Sequence, residues 1–140
     1  MKILIDTNII IDILEQRTPF FTASYRIIQL GLEEKLETFM SAGAITDVYY
    51  IISHSIHNAQ KAKEKIFALV SLLSICNTTS DDINVALPLQ MADFEDAVIA
   101  SIAKREKADF IITRNEKDFA NSPVPAISPK RFLADYGRDV

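Results

Sequence analysis

Tryptophan is missing from this 140-residue chain and cysteine occurs once. The lone Cys76 excludes an internal disulfide framework and fits a reducing compartment. With only 3 Gly and 5 Pro, the chain has neither a collagenous nor a linker-joined composition. No apolar run nears the ~20 residues that a membrane span needs. The opening Met1-Lys2-Ile3-Leu4-Ile5-Asp6 places charge within its first apolar stretch, unlike a secretory signal, so a cytoplasmic location is expected. There is no Gly-rich phosphate loop, which argues against nucleoside triphosphate hydrolysis. No Ser or Cys nucleophile is matched to a His base, so a hydrolytic triad has little support. His54 and His57 stand three apart without a Cys or third His to complete a zinc site. An excess of basic charge is also lacking: 15 Lys+Arg oppose 19 Asp+Glu, for a net charge of −4. Proteins that hold nucleic acid through their bulk field are usually basic. Either the partner is not nucleic acid, or something bound neutralises some of the acids.

Hydrophobic residues make up 49% of the chain and charged residues 24%, the composition of a soluble globule. The length suits one domain over 1–140. Strand-like runs alternate with helical periodicity. Strands are expected at 2–5, 36–40, 74–78, 109–113 and 123–127. Helices are expected at 9–15, 20–34, 44–54, from Asn58 through the stripe Ala62, Ile66, Leu69, Val70 and Leu73, from Ser80 to about Leu89, and over 93–107. Glu116–Phe119 reads as a helical turn, and Pro129 opens a last helix. Alternation of this kind implies parallel strands joined by right-handed crossovers, with helices on both faces. The continuous apolar runs Ile3-Leu4-Ile5 and Phe110-Ile111-Ile112 suit strands buried on both sides. The expected fold is therefore a three-layer α/β/α sandwich around a mostly parallel sheet, with ligands bound beyond the carboxyl ends of its strands.

That rule singles out acids. Asp6 follows the first strand directly. Thr113, Arg114 and Asn115 follow the fourth, with Asp118 close behind. Asp93 and Asp96, three apart, project from one side of a helix's first turn. Asp47 sits near the start of another helix. Helix capping also favours Asp at such positions, but capping does not predict acids gathering at one sheet edge. Clustered carboxylates repel unless a cation is present. Oxygen-only ligand sets suit hard ions such as Mg²⁺ or Mn²⁺, and the chemistry such ions support is phosphodiester hydrolysis.

At these residues the chain resembles PIN-domain ribonucleases. The resemblance rests on Ile5-Asp6-Thr7-Asn8, on Ser41 to Tyr50, on Asp93-Phe94-Glu95-Asp96-Ala97 and on Ile112 to Phe119, in that order. It implies Mg²⁺- or Mn²⁺-dependent cleavage of RNA by a toxin-like member, restrained by a small antitoxin and often dimeric. By position it implies that Asp6 and Asp96 are metal ligands, with Asp93 an additional acid of the same helix. Asp47 stands where many members carry Glu, and a water bridge to the ion is the expected contact there. Asn115 stands where many carry Asp, with Asp118 supplying the missing charge. Asn8 and Thr113 become groups that orient carboxylates.

Arg114 is the expected substrate contact. Lys104, Arg105 and Lys107, with Lys61, Lys63 and Lys65, are either phosphate-steering groups or solvated helix faces. Tyr49 and Tyr50 are expected to pack, with one hydroxyl within reach of RNA. Cys76 is expected to be a buried structural thiol. Two other readings are a small metal-dependent phosphatase, in which Asn8 departs from the second Asp such enzymes use, and a non-catalytic binding module with the same fold.

Overall fold

Ile3, Leu4 and Ile5 are completely buried in the computed structural model, which describes all residues 1–140. They form β1 (Lys2–Ile5), the central strand of a five-stranded sheet. The chain continues through α1 (Thr7–Leu14), α2 (Phe21–Leu32), β2 (Glu37–Ser41), α3 (Ala42–Ile56), α4 (Ala59–Val70), β3 (Ser74–Cys76), α5 (Ser80–Ala86) and α6 (Phe94–Arg105). It ends with β4 (Phe110–Ile112), a 3₁₀ turn at Glu116–Phe119, β5 (Ala126–Ile127) and α7 (Pro129–Tyr136).

The strand order is β3-β2-β1-β4-β5, with every neighbouring pair parallel. After β1 the chain builds outward on one side through β2 and β3. It then crosses back through α5 and α6 to place β4 on the other side of β1. The gap between the carboxyl ends of β1 and β4 is thus a topological switch point, where open α/β sheets form a crevice.

Strand alternation divides the core into two layers. Ile3 and Ile5 face one way, with Met40 and Ile112, and pack beneath α1–α4 and α7. Leu4 faces the other way with Phe39 and Ile111, against Ala100, Ile102 and Ala103 of α6 and Phe119 of the 3₁₀ turn. The arrangement is the expected α/β/α sandwich.

Element boundaries moved for local reasons. Helix α5 stops at Ala86 rather than Leu89: Leu87 keeps helical angles, but Pro88 has no N–H to extend the ladder. Helix α6 ends at Arg105, and Lys107 turns left-handed at φ 58°. The last strand shrinks to Ala126–Ile127, since Pro123 and Pro125 have no N–H for the ladder, although the Pro125 carbonyl still accepts from Ile111 N–H. The predicted α4 stripe holds at Ala62 and Leu69, but Val70 ends the helix exposed and Leu73 lies beyond it. In the 20–34 segment Ser24, Ile27, Ile28 and Leu30 are core, whereas Phe20, Tyr25 and Leu32 are exposed.

Candidate active site

Asp6 joins β1 to α1. Its backbone is extended and its carboxylate caps the helix, Oδ1 accepting from Thr7 N–H at 2.8 Å. Oδ2 accepts from the Thr113 hydroxyl at 2.8 Å, across the switch point. Thr113 Oγ1 accepts in turn from Asn8 Nδ2 at 3.2 Å and from Asn115 N–H at 3.1 Å. A hydroxyl has one proton and two lone pairs, so Thr113 is fully committed and its proton points at Asp6. Asn8 Oδ1 accepts from Arg114 N–H at 3.3 Å. This network ties the carboxyl end of β1 to that of β4.

Asp96 comes to the same place from α6. Asp93 caps that helix, its Oδ1 accepting from Asp96 N–H at 3.0 Å. The acids therefore do both things weighed for them: Asp6 and Asp93 cap helices, and they also gather with Asp96. Asp6, Asp47 and Asp96 line one cleft of about 670 Å³, together with Glu95, Asn115 and Arg17. Asp93 and Asp118 stand outside this lining but close enough to act on Asp6 and Asp96 electrostatically. Asp47 is exposed on the α3 wall.

The electrostatics are those of a site short of positive charge. Burial pushes the Asp6 carboxyl up, opposed by the Thr113 hydroxyl and Thr7 N–H, while Asp93 and Asp118 push it further up. Burial, then repulsion from Asp6, Asp93, Asp118 and Glu95, pushes Asp96 up to about 7. Arg17 is the sole cation in the lining, and it is paired with Glu15 at 2.6 Å. No three acid, His or Cys side chains close into a cage able to hold an ion unaided. Mg²⁺ does not require one, because it is usually held by one or two carboxylates, completed by waters and substrate phosphate. The donor set, all oxygen, fits a hard divalent ion.

Arg114 does not reach toward the cleft as a free substrate contact. Its guanidinium grips the fully buried Asp12, Nε at 2.6 Å and Nη2 at 3.1 Å, and lies 4.1 Å from the centre of the Phe20 ring. The reason is Asp12, a carboxylate inside the apolar helix α1 that must be paired there. Arg105 is likewise committed. It bonds Asp82 at 2.9 and 3.1 Å, Glu106 at 2.7 Å and the Asn77 carbonyl at 2.6 Å, locking α6 to α5. Lys65 donates to the Leu14 carbonyl at 3.2 Å, so it serves the end of α1. Sequence reasoning missed Asp12, Arg17 and Phe94. The signal for Asp12 was present: one charge within Ile9-Ile10-Ile11-Asp12-Ile13-Leu14 demands a partner. Cys76 is partly buried in edge strand β3, and burial followed by Glu106 pushes its thiol up, away from reactivity. His54 bonds the Tyr50 carbonyl through Nδ1 at 2.8 Å and forms no metal cluster. A second depression, about 710 Å³, lies at the opposite sheet edge near Lys2, Lys35 and Asp109, away from every strand's carboxyl end.

Comparison with known proteins agrees with this fold. Ribonuclease VapC1 of Aquifex aeolicus (strain VF5) is 27% identical over 136 residues, covering 94% of this chain and 92% of that protein. Among solved structures, VapBC2 of Rickettsia felis, bound to a DNA fragment from their promoter, superposes with a TM-score of 0.74 at 20% identity, over 91% of this chain and 98% of its own. A toxin–antitoxin complex from Klebsiella pneumoniae superposes with a TM-score of 0.66 at 24% identity, over 90% of this chain and 96% of its own. No helix here is long and apolar enough to cross a membrane. The PIN domain model matches residues 2–117, a span that runs from β1 to the start of the 3₁₀ turn and includes Asp6, Asp96 and Thr113, and the chain belongs to the PIN domain family.

Proposed function

We propose that this chain is a single-domain endoribonuclease that uses Mg²⁺ or Mn²⁺ in the acidic cleft, and that it is the toxin of a toxin–antitoxin pair. The observation that carries the reading is the meeting of Asp6 and Asp96, from opposite halves of the chain, at the switch point with no cation against either. The Aquifex relative, a ribonuclease, and the Klebsiella complex of a toxin with its antitoxin support the substrate and the partner, which would be a small antitoxin.

In this reading Asp6 and Asp96 hold the ion and Asp93 supplements them. Asp47 and Asp118 add negative field, and Asn115 offers a neutral side-chain oxygen at the cleft. Thr113 and Asn8 fix the Asp6 carboxylate through Oδ2, while Oδ1 accepts only from Thr7 N–H and keeps a lone pair for the ion. A divalent ion bound there would activate a water for attack on phosphorus and offset the charge gathering on the phosphate.

Chelation tests the reading. After dialysis against EDTA the protein should leave RNA intact, and Mn²⁺ should restore cutting. Full-rate cleavage by the chelated protein would contradict it, as would rapid turnover of a small phosphomonoester with RNA left whole.

A further inference from the structure

We infer that Arg17 is the phosphate anchor of the acidic cleft, binding an RNA backbone phosphate that flanks the one being cut. This rests on the ribonuclease reading and adds a substrate-binding residue to it.

A cleft this acidic repels phosphate. Asp6, Asp47, Glu95 and Asp96 line it, with Arg17 as the one cation among them. The arginines that the sequence offered for the task are committed elsewhere, Arg114 to Asp12 and Arg105 to Asp82. Arg17 is paired too, but along one edge only. Its Nε and Nη2 donate to the same oxygen of Glu15, Oε2, at 2.9 and 2.6 Å. A guanidinium carries five N–H donors in a planar fork. With the Nε–Nη2 edge on Glu15, the Nη1–Nη2 edge is left over. Two parallel N–H groups on that edge match two oxygens of a phosphate. The Arg17 side chain is 46% exposed where it lines the cleft, which leaves that edge open to a ligand.

Backbone and partner both hold Arg17 in place. Gln16 turns left-handed at φ 50° after α1. The Gln16 and Arg17 N–H groups then donate back to the Ile13 and Asp12 carbonyls at 3.2 and 2.9 Å, the double closure of a Schellman motif. The Arg17 carbonyl accepts from Phe20 and Phe21 N–H at 3.0 and 2.8 Å. Glu15 Oε1 is buried and has no donor, so its carboxylate depends on Arg17 alone. Releasing the arginine would strand that carboxylate. Glu15 therefore keeps its edge of the guanidinium while the other edge binds. Helix α1, eight residues or about 12 Å long, separates Asp6 at one end from Arg17 beyond the other. An ion on Asp6 and the Arg17 fork thus meet different phosphates of one strand.

Fluorescence anisotropy of a labelled oligoribonucleotide reads the contact, measured over a salt series in an Asp6→Asn background that removes cleavage. Arg17→Ala should weaken binding about tenfold and make the slope of log affinity against log salt shallower by about 1. Arg17→Lys should keep the slope and still bind about threefold more weakly, because one ammonium cannot present paired bonds to Glu15 and to a phosphate. With Asp6 intact, Arg17→Ala should raise KM for RNA about tenfold and hold kcat within about twofold. Unchanged affinity and slope in Arg17→Ala, with only a lower unfolding midpoint, would reduce Arg17 to a partner of Glu15 and overturn the inference. A fall in kcat at constant KM would put Arg17 on the reacting phosphate and overturn it as well. If affinity and slope fall as expected but the wild-type protein cuts no RNA with Mg²⁺ or Mn²⁺, the anchor stands and the ribonuclease reading falls.

Discussion

Asp12 and Asp82 are buried as deeply as Asp6, at 0%, 2% and 7% exposure, but their company differs. Asp12 faces Arg114 and Asp82 faces Arg105, each through two hydrogen bonds. Asp6 receives only neutral donors and feels Asp93 and Asp118 nearby, and Asp96 feels all three. The chain therefore pairs its buried acids with cations outside the cleft and leaves them unpaired inside it. A buried carboxylate without a cation lowers stability. That this occurs only at the switch point is what supports the proposal of a bound ion there.

Removing the unpaired acids should have the largest effect, and it should fall on activity. Asp6→Asn or Asp96→Asn, highly purified, should cut RNA at least about a thousandfold more slowly with the far-ultraviolet spectrum unchanged. Removing a clamp should act on stability instead. Arg114→Ala strands Asp12 in the core and should lower unfolding free energy by about 3 kcal/mol in urea titration; a neutral result would erase the distinction between the two regions.

The two regions should also respond oppositely to pH. Asp96 binds its proton more tightly folded than unfolded, so in the absence of a divalent ion the folded state loses stability as pH rises from about 4 to about 7. Asp96→Asn removes that penalty and should raise stability at pH 8 in EDTA by about 1 kcal/mol, a value reduced by solvent screening of a partly open site. The gain should vanish near pH 4. At Asp82 burial alone would raise the carboxyl, but Arg105 and the Thr79 N–H and hydroxyl hold it below the usual range. Its contribution is complete above the ordinary carboxylate range and is lost only as pH falls further. The smallest effect belongs to the exposed lysines of α4: Lys61→Ala and Lys63→Ala should change cleavage and stability by less than about twofold and about 0.5 kcal/mol.

What could be read from the sequence was what is local. The apolar run at 3–5 ending on Asp6, the cap-and-N3 spacing of Asp93 and Asp96, and Thr113 after the fourth strand each carry their own pattern. Strand alternation then places them at one edge. The ion pairs were not legible, because Asp12 and Arg114 are 102 residues apart and Asp82 and Arg105 are 23 apart. Nothing in the spacing of basic residues tells a committed arginine from a free one, so Arg114 reads as a substrate contact and Arg105 as either a phosphate-steering group or a solvated helix face. Phe94 was hidden for a related reason. An aromatic residue in a helix's first turn reads as core until the fold shows that side open to the cleft.

Mn²⁺ titration of the metal-free protein, followed by the paramagnetic resonance of the free ion, tests the shared cation most directly. The wild-type chain should take up the ion at the cleft, and Asp6→Asn and Asp96→Asn should each lose that uptake while Arg114→Ala, if folded, retains it. Equal uptake by the wild type and both asparagine variants would contradict the account.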